Sequence, residues 1–365
     1  WVSVRGCTGT VKRLYNIAGG VTDFEFVGNA LTVTSDGGNN ATLGYEVRTD
    51  TISVWTQDTA IAEDAIRRAT VVDGRLYQAT TGGTTHATTE PTWNTEIGAT
   101  TSDGTVVWTC IAAETTNAMP ILSGRITDNV IDWPTAGATH HLFFGIGADN
   151  IMVQRNTLTT TSTENYMVVC KSDYCTFQRN LITCSGDYPL YLAGARYSRV
   201  LNNTVVASGA NRCVAVDNHQ EAVYSLLNGV PRGNIIEGNI LVSATGRPIT
   251  VNVSGGALVD RNLYWTGGAN VAFVIDASVA TSGGIAAVQA KWADYASDGH
   301  PQARNDENSL VANPRFTAAS SGDYSLLPSS PARGAMPDGA EMGSWQTSGK
   351  VGIGEGGVHF AGYDR

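Results

Sequence analysis

Residues 151–207 read IMVQRNTLTTTSTENYMVVCKSDYCTFQRNLITCSGDYPLYLAGARYSRVLNNTVVA. In this stretch Asn156, Asn180 and Asn203 each follow an apolar or aromatic residue by three positions (Val153, Phe177, Val200) and precede another by two (Leu158, Ile182, Val205). The same frame fits Asn29, Asn129, Asn239 and Asn262, flanked by Phe26, Ile126, Ile236 and Val259 on one side and Leu31, Ile131, Leu241 and Tyr264 on the other. Successive spacings of 100, 27, 24, 23, 36 and 23 give a base period with two insertions. A second apolar run recurs in phase: HLFF near 142, YMVV near 167, LYLA near 191, VAVD near 215, ITVNV near 250 and FVID near 274. Each period therefore supplies at least two short strands separated by turn residues. No single period can bury its apolar side chains alone, but stacked periods form continuous columns. The repeated Asn suits a corner, where it tolerates the left-handed conformation and its amide can bond the same amide one coil away.

Composition agrees with an all-β chain. The 365 residues include 41 Gly and 15% charged residues, which favours many turns over long helices. A formal charge of −10 without clustered Lys and Arg argues against nucleic acid as a partner. No run of 18 apolar residues occurs, so membrane insertion is not expected. The opening WVSVRGCTGT has neither an initiator Met nor a leader's basic and apolar regions, and reads as an internal start. Cys7, Cys110, Cys170, Cys175, Cys184 and Cys213 lack zinc-type spacing and are expected mostly as buried free thiols; neither a metal nor another cofactor is expected.

With KWADYASDGH, ENSLVANPRF, SGDYSLLPSSPARGA and EMGSW closing the chain, the sequence resembles right-handed parallel β-helix proteins, the family of pectate-lyase-like enzymes and bacteriophage tailspikes. The resemblance implies a single-stranded right-handed parallel β-helix, a solenoid of about 24 residues per coil. It also implies homotrimers, a virion-tail or extracellular location, and bacterial polysaccharide as partner. Ile285, Val288, Trp292 and Tyr295 lie at helical spacing and predict a capping helix. Pro314, Pro328, Pro331 and Pro337 then predict an irregular cover rather than further coils. The expected organisation is N-terminal coils over 1–44, an inserted small β module over 45–115, the main solenoid over 116–282, helix and cap over 283–345, and a tail over 346–365.

The insertion, with GRLYQATTGGTT and EPTWNTEIGATTSDGTVVWTC, resembles a small β module recurring in phage and prophage tail proteins. Its Trp55, Tyr77 and Trp93 are candidate carbohydrate-binding residues, Trp93 the best placed for exposure; with Trp108 they could equally be the core of so small a unit.

Equal phase on neighbouring coils means adjacency on the surface. Asp149, Asp173 and Arg196 stand seven residues before their Asn, with Lys171 in the same corner, and Asp217, His219 and Glu221 follow the VAVD strand. Lys171, Asp173, Arg196, Asp217, His219 and Glu221 are the candidate catalytic residues. Two stacked carboxylates, Asp173 and Asp217, fit glycoside hydrolysis. Lys171, Arg196 and His219 fit lyase chemistry on a uronate, as base and as stabilisers of the developing negative charge. The competing reading is that these are turn residues and that Asp173 with Arg196 is a surface ion pair. His140 and His141 precede a strand and read as solvated or satisfied. The function expected is tailspike-like binding, with depolymerisation, of a bacterial surface polysaccharide. The alternatives are a non-catalytic receptor-binding adhesin of the same fold and a free bacterial polysaccharide lyase with an inserted binding module.

Overall fold

A computed structural model of the chain describes residues 1–17, 23–34, 41–43, 53–71, 73, 75–96, 98–113, 123–134, 140–145, 148–161, 163, 166–208, 212–217, 231–244, 247–251, 257–268, 271–275, 278–297 and 305–344. The protein is nearly all-β and is dominated by three long parallel sheets. The chain visits them in rotation. One pass runs from Ile151–Gln154 in the first sheet to Thr157–Thr160 in the second and Tyr166–Cys170 in the third, and the next pass begins at Thr176–Gln178. Each coil thus contributes three strands, one more than the minimum read from the sequence.

Register explains the repeat. In the first sheet Phe26, Ile126, Val153, Phe177, Val200, Ile236 and Val259 are successive partners. The second sheet aligns Leu31, Ile131, Leu158, Ile182, Val205, Leu241 and Tyr264. The third aligns Leu142, Val168, Leu190, Val214 and Ile249. All of these side chains are buried in one apolar cluster. Strand alternation sends their neighbours outward.

Between the first and second sheets the predicted Asn residues form a ladder. Both the backbone N and Nδ2 of Asn156 donate to Asn180 Oδ1 (3.0 and 2.9 Å), while Nδ2 also donates to Ile126 O (2.8 Å). The amide-to-amide bonds recur from Asn29 through Asn129, Asn156, Asn180, Asn203 and Asn239 to Asn262. Buried amides are costly unless paired, and here each one is. One expectation is corrected: the left-handed residue is the one before the Asn. Gly28, Asp128, Arg155, Arg179, Asn202, Gly238 and Arg261 take φ of 65, 60, 53, 54, 52, 71 and 51°. The Asn is held by its amide bonds, not by a tolerance for that conformation.

The insertion is antiparallel. Thr100–Asp103, Val106–Ala113, Arg75–Thr81 and Ile66–Arg67 form a four-stranded sheet around its own cluster of Ile61, Tyr77, Ala79, Val106, Trp108 and Cys110. At the other end the helix Ile285–Ser297 buries Val288 and Trp292 against the main core. Trp292 Nε1 and Tyr264 Oη both donate to buried Asp306 (2.7 and 2.6 Å). The region after the helix is not wholly irregular: Leu310–Val311 extends the second sheet in parallel with Leu263 and Tyr264, because Ser309 Oγ accepts from Asn262 N (2.9 Å) and prolongs the ladder. Cys110, Cys170, Cys175, Cys184 and Cys213 are buried free thiols and Cys7 is exposed. Among the described residues no helix is long and apolar enough to cross a membrane.

Candidate functional site

The third sheet returns the chain to the first through a turn that carries the charges picked out in the sequence. Asp149, Asp173, Arg196 and Arg232 occupy one position of successive coils. Asp173 N donates to Asp149 Oδ1 (2.9 Å), Arg196 N donates to Asp173 Oδ1 (3.0 Å), and Arg196 bridges Arg232 in parallel register. The Arg196 guanidinium closes on Asp173 Oδ2 through Nε (2.9 Å) and Nη2. Both oxygens of Asp173 are therefore engaged, and its side chain is buried. Burial pushes the Asp149 carboxyl above the ordinary carboxylate range.

The next residue of each turn is left-handed: Asn150, Tyr174, Tyr197 and Gly233. That conformation throws Tyr174 and Tyr197 outward, 53% and 41% exposed, with ring centroids 5.3 Å apart and planes at 14°. The Arg232 guanidinium lies 5.7 Å from the Tyr197 centroid. A Cβ on Gly233 would fall 2.6 Å from the same ring, so only glycine admits it there.

Around the edge from this corner lies the outer face of the third sheet, where Tyr166 stacks on Tyr188 (4.9 Å, 21°) and on Tyr191 (5.5 Å, 22°). Arg212 covers the Tyr188 ring at 4.6 Å and donates to its hydroxyl. Buried Val169 and Ala193 lie beneath. Asp217 pairs with Ala193 in register at the end of this face. Burial first, then neighbouring Tyr188 and, to a smaller extent, Asp187 and Asp217 raise the Tyr166 pKa; burial followed by Asp217 raises that of Tyr191. Lys171 follows Cys170, the register partner of Leu192, and so falls in the row of Ala193 and Asp217.

Of the candidate catalytic residues, the structure thus brings Lys171 and Asp217 onto one row and Asp173 and Arg196 into an ion pair. His219 and Glu221 lie outside the described residues. His141 does not precede a strand but belongs to His140–Phe144; it is buried against Trp133, and Nε2 lies 3.3 Å from Thr160 Oγ1. Tyr174, Tyr197 and Arg232 were not picked out from the sequence. The phase rule that located Asp173 locates them as well, since they stand six, six and seven residues before Asn180, Asn203 and Asn239.

Two candidate sugar platforms in the insertion are corrected. Tyr77 is fully buried, and Trp55 is buried with Nε1 donating to Asp103 Oδ2 (2.7 Å), an oxygen that Trp108 Nε1 shares (3.0 Å). So small a unit has little else to bury. Trp93 is half-buried, stacked on Tyr77 at 4.1 Å and donating to Glu90 Oε1 (2.8 Å), and its free edge lines a shallow depression with Val71 and Pro91.

Flat aromatic faces interleaved with Arg and Asp can hold a polar, ring-shaped ligand by stacking and by hydrogen bonds. No family model matches the chain, and no curated protein or solved structure matches it.

Proposed function

We propose that the chain is a single-stranded right-handed parallel β-helix of the tailspike type that binds and depolymerises a bacterial surface polysaccharide. The supporting observation is the stacked Tyr166–Tyr188–Tyr191 face, flanked by Arg212, Asp187 and Asp217. Sugar rings stack on the tyrosines and the charged groups orient their hydroxyls. Asp217, at the end of this face, is the carboxylate that this reading assigns to cleavage. Asp173 is left as the tether of Arg196 at the adjoining corner. Trimer assembly and a virion-tail setting belong to the same reading by resemblance.

A second reading, a non-catalytic adhesin of the same architecture, draws on the complete engagement of the Asp173 carboxylate by Arg196. A panel of capsular and O-antigen polysaccharides separates the two. Binding with new reducing ends, lowered about a hundredfold or more by Asp217→Asn without loss of binding, supports the enzyme. Binding without cleavage supports the adhesin. Binding untouched by Tyr191→Ala and Tyr166→Ala overturns the tyrosine face as the site.

A further inference from the structure

Arg212 and Arg247 open neighbouring strands of the third sheet, Arg212–Asp217 and Arg247–Val251, and are partners in parallel register. Register sets their backbones about 4.8 Å apart, and like charges side by side on neighbouring strands repel. Elsewhere in the stack, arginines that meet a neighbouring coil close on carboxylates: Arg125 on Glu25, Arg155 on Asp128 and Arg261 on Glu237. Arg196 aligns with another arginine, Arg232, but still closes on Asp173. Neither Arg212 nor Arg247 has an ion pair among the described residues.

The pair is also held in place. The Arg212 guanidinium lies 4.6 Å from the centroid of the Tyr188 ring, and its Nη1 donates to the Tyr188 hydroxyl. Tyr188 in turn packs against Tyr166 and Tyr191, so Arg212 is fixed to the edge of the aromatic face. Its Nε is covered, which leaves Nη2 as the donor for a ligand. Arg247 is half-buried and makes no hydrogen bond among the described residues.

Two adjacent guanidinium groups suit an oxyanion, which accepts from both and relieves their repulsion; neutral hydroxyls leave that repulsion standing. The strand from Arg212 to Asp217 spans about 16 Å, so such an oxyanion is held well away from the carboxylate assigned to cleavage. We propose that Arg212 and Arg247 determine specificity at the tyrosine face: the polysaccharide taken there is acidic, and its carboxylate, sulfate or phosphate group binds both arginines while neighbouring rings lie on the tyrosines. That the ligand is a polysaccharide rests on the function proposed above; that it is anionic rests on the arginines.

Titration of the full chain with acidic and neutral capsular and O-antigen polysaccharides, followed by calorimetry, tests it. Binding confined to acidic members is expected. Reducing the carboxylates of a bound polymer to alcohols should weaken it about tenfold or more, and the same loss on desulfation or dephosphorylation instead identifies the group as an ester. Neutralising the ligand tests the contact without altering the protein. Arg212→Gln and Arg247→Gln should each weaken the native polymer about tenfold, flatten its salt dependence and leave the neutralised polymer's binding unchanged. Tyrosine-dependent binding of a neutral polysaccharide, or binding indifferent to neutralisation and to both arginine variants, overturns this inference and leaves the proposed function standing. Arginine-dependent binding that survives Tyr166→Ala and Tyr191→Ala sinks the tyrosine face and keeps the arginine subsite. Binding to no polysaccharide overturns both.

Discussion

The two corners that flank the first sheet obey different rules. On the way into the second sheet, coil after coil spends the same two residues: Gly28–Asn29, Asp128–Asn129, Arg155–Asn156, Arg179–Asn180, Asn202–Asn203, Gly238–Asn239 and Arg261–Asn262. On the way back from the third sheet the connection is 171–175 in one coil, 194–198 in the next, 218–233 in the one after, and 44–122 early in the chain. An amide ladder fixes length, because each amide must meet the next within hydrogen-bond distance. The returning corner carries polar residues that change from coil to coil, from Asp149 and Asp173 to Arg196 and Arg232. Its left-handed turn repeats, but the length of chain around that turn does not, so this corner absorbs insertions and holds the charged and aromatic groups, as loops on rigid scaffolds do.

The contrast breaks most sharply under a change of length. One Gly inserted between Arg179 and Asn180 shifts the following strand by a residue and turns Ile182 outward, at a cost beyond about 4 kcal/mol. Loss of cooperative unfolding in a denaturant titration is the expected result. Replacing segment 218–233 with the GARYS turn of 194–198 should move stability by no more than about 1 kcal/mol, since closure entropy varies slowly with loop length. Equal costs for the two changes would abolish the distinction between the corners.

A single rung gives the next effect. Asn180 accepts two bonds from Asn156 and donates to Asn203 and to Val153 O. Asn180→Leu strands these partners and should destabilise by roughly 3 kcal/mol. Asp173→Asn at the returning corner keeps one acceptor for Arg196 and should cost about 1 kcal/mol; the same unfolding curves compare the two.

The capped end adds a dependence on pH. Burial raises the Asp306 carboxyl from its ordinary 3.8 to about 6. The folded chain therefore holds a proton between those values that the unfolded chain has released. Stability from this group is full below pH 4 and declines as pH rises through 6, by on the order of 2–3 kcal/mol in all. Asp306→Asn should remove that decline: its amide oxygen accepts from Trp292 Nε1, and its N–H donates to Tyr264 Oη, which can reverse its role. Denaturant midpoints at pH 4.5 and 7.5 for parent and variant measure the difference, and identical slopes would show that Asp306 does not titrate in this range.

Much of this contrast is legible in the sequence because phase becomes adjacency. The columns from Phe26 to Val259 and from Leu31 to Tyr264, and the row through Asp149, Asp173 and Arg196, follow from counting back or forward from an Asn. Counting does not say which atom does what. The left-handed residue is the one before the Asn, and the Asn is held by its amide bonds. Asp173 lies on the expected corner, but its lone pairs are taken by Arg196, a matter of side-chain geometry. Trp55 and Tyr77 lie outside the repeat, where phase says nothing and the scarcity of apolar surface in a small unit decides. Gly343 and Ser344 bond back to Gly238 and Thr204, more than a hundred residues earlier in the chain, which no local pattern reveals.

The ladder also has a grammar. Every interior rung gives its backbone N–H and one amide hydrogen to the next Asn oxygen and its other amide hydrogen back to a carbonyl of the preceding coil, so the ladder has a direction. At the start Cys7 contributes just its backbone N–H to Asn29 Oδ1 (2.9 Å), and at the finish Ser309 contributes just an oxygen. Neither end needs an amide, because each performs half of a rung's exchange. Interior rungs are interchangeable: a gene duplication that copied one whole coil, Asn included, would join at both faces without altering a neighbour. Such a protein can lengthen or shorten in coil-sized quanta while its ends stay the same.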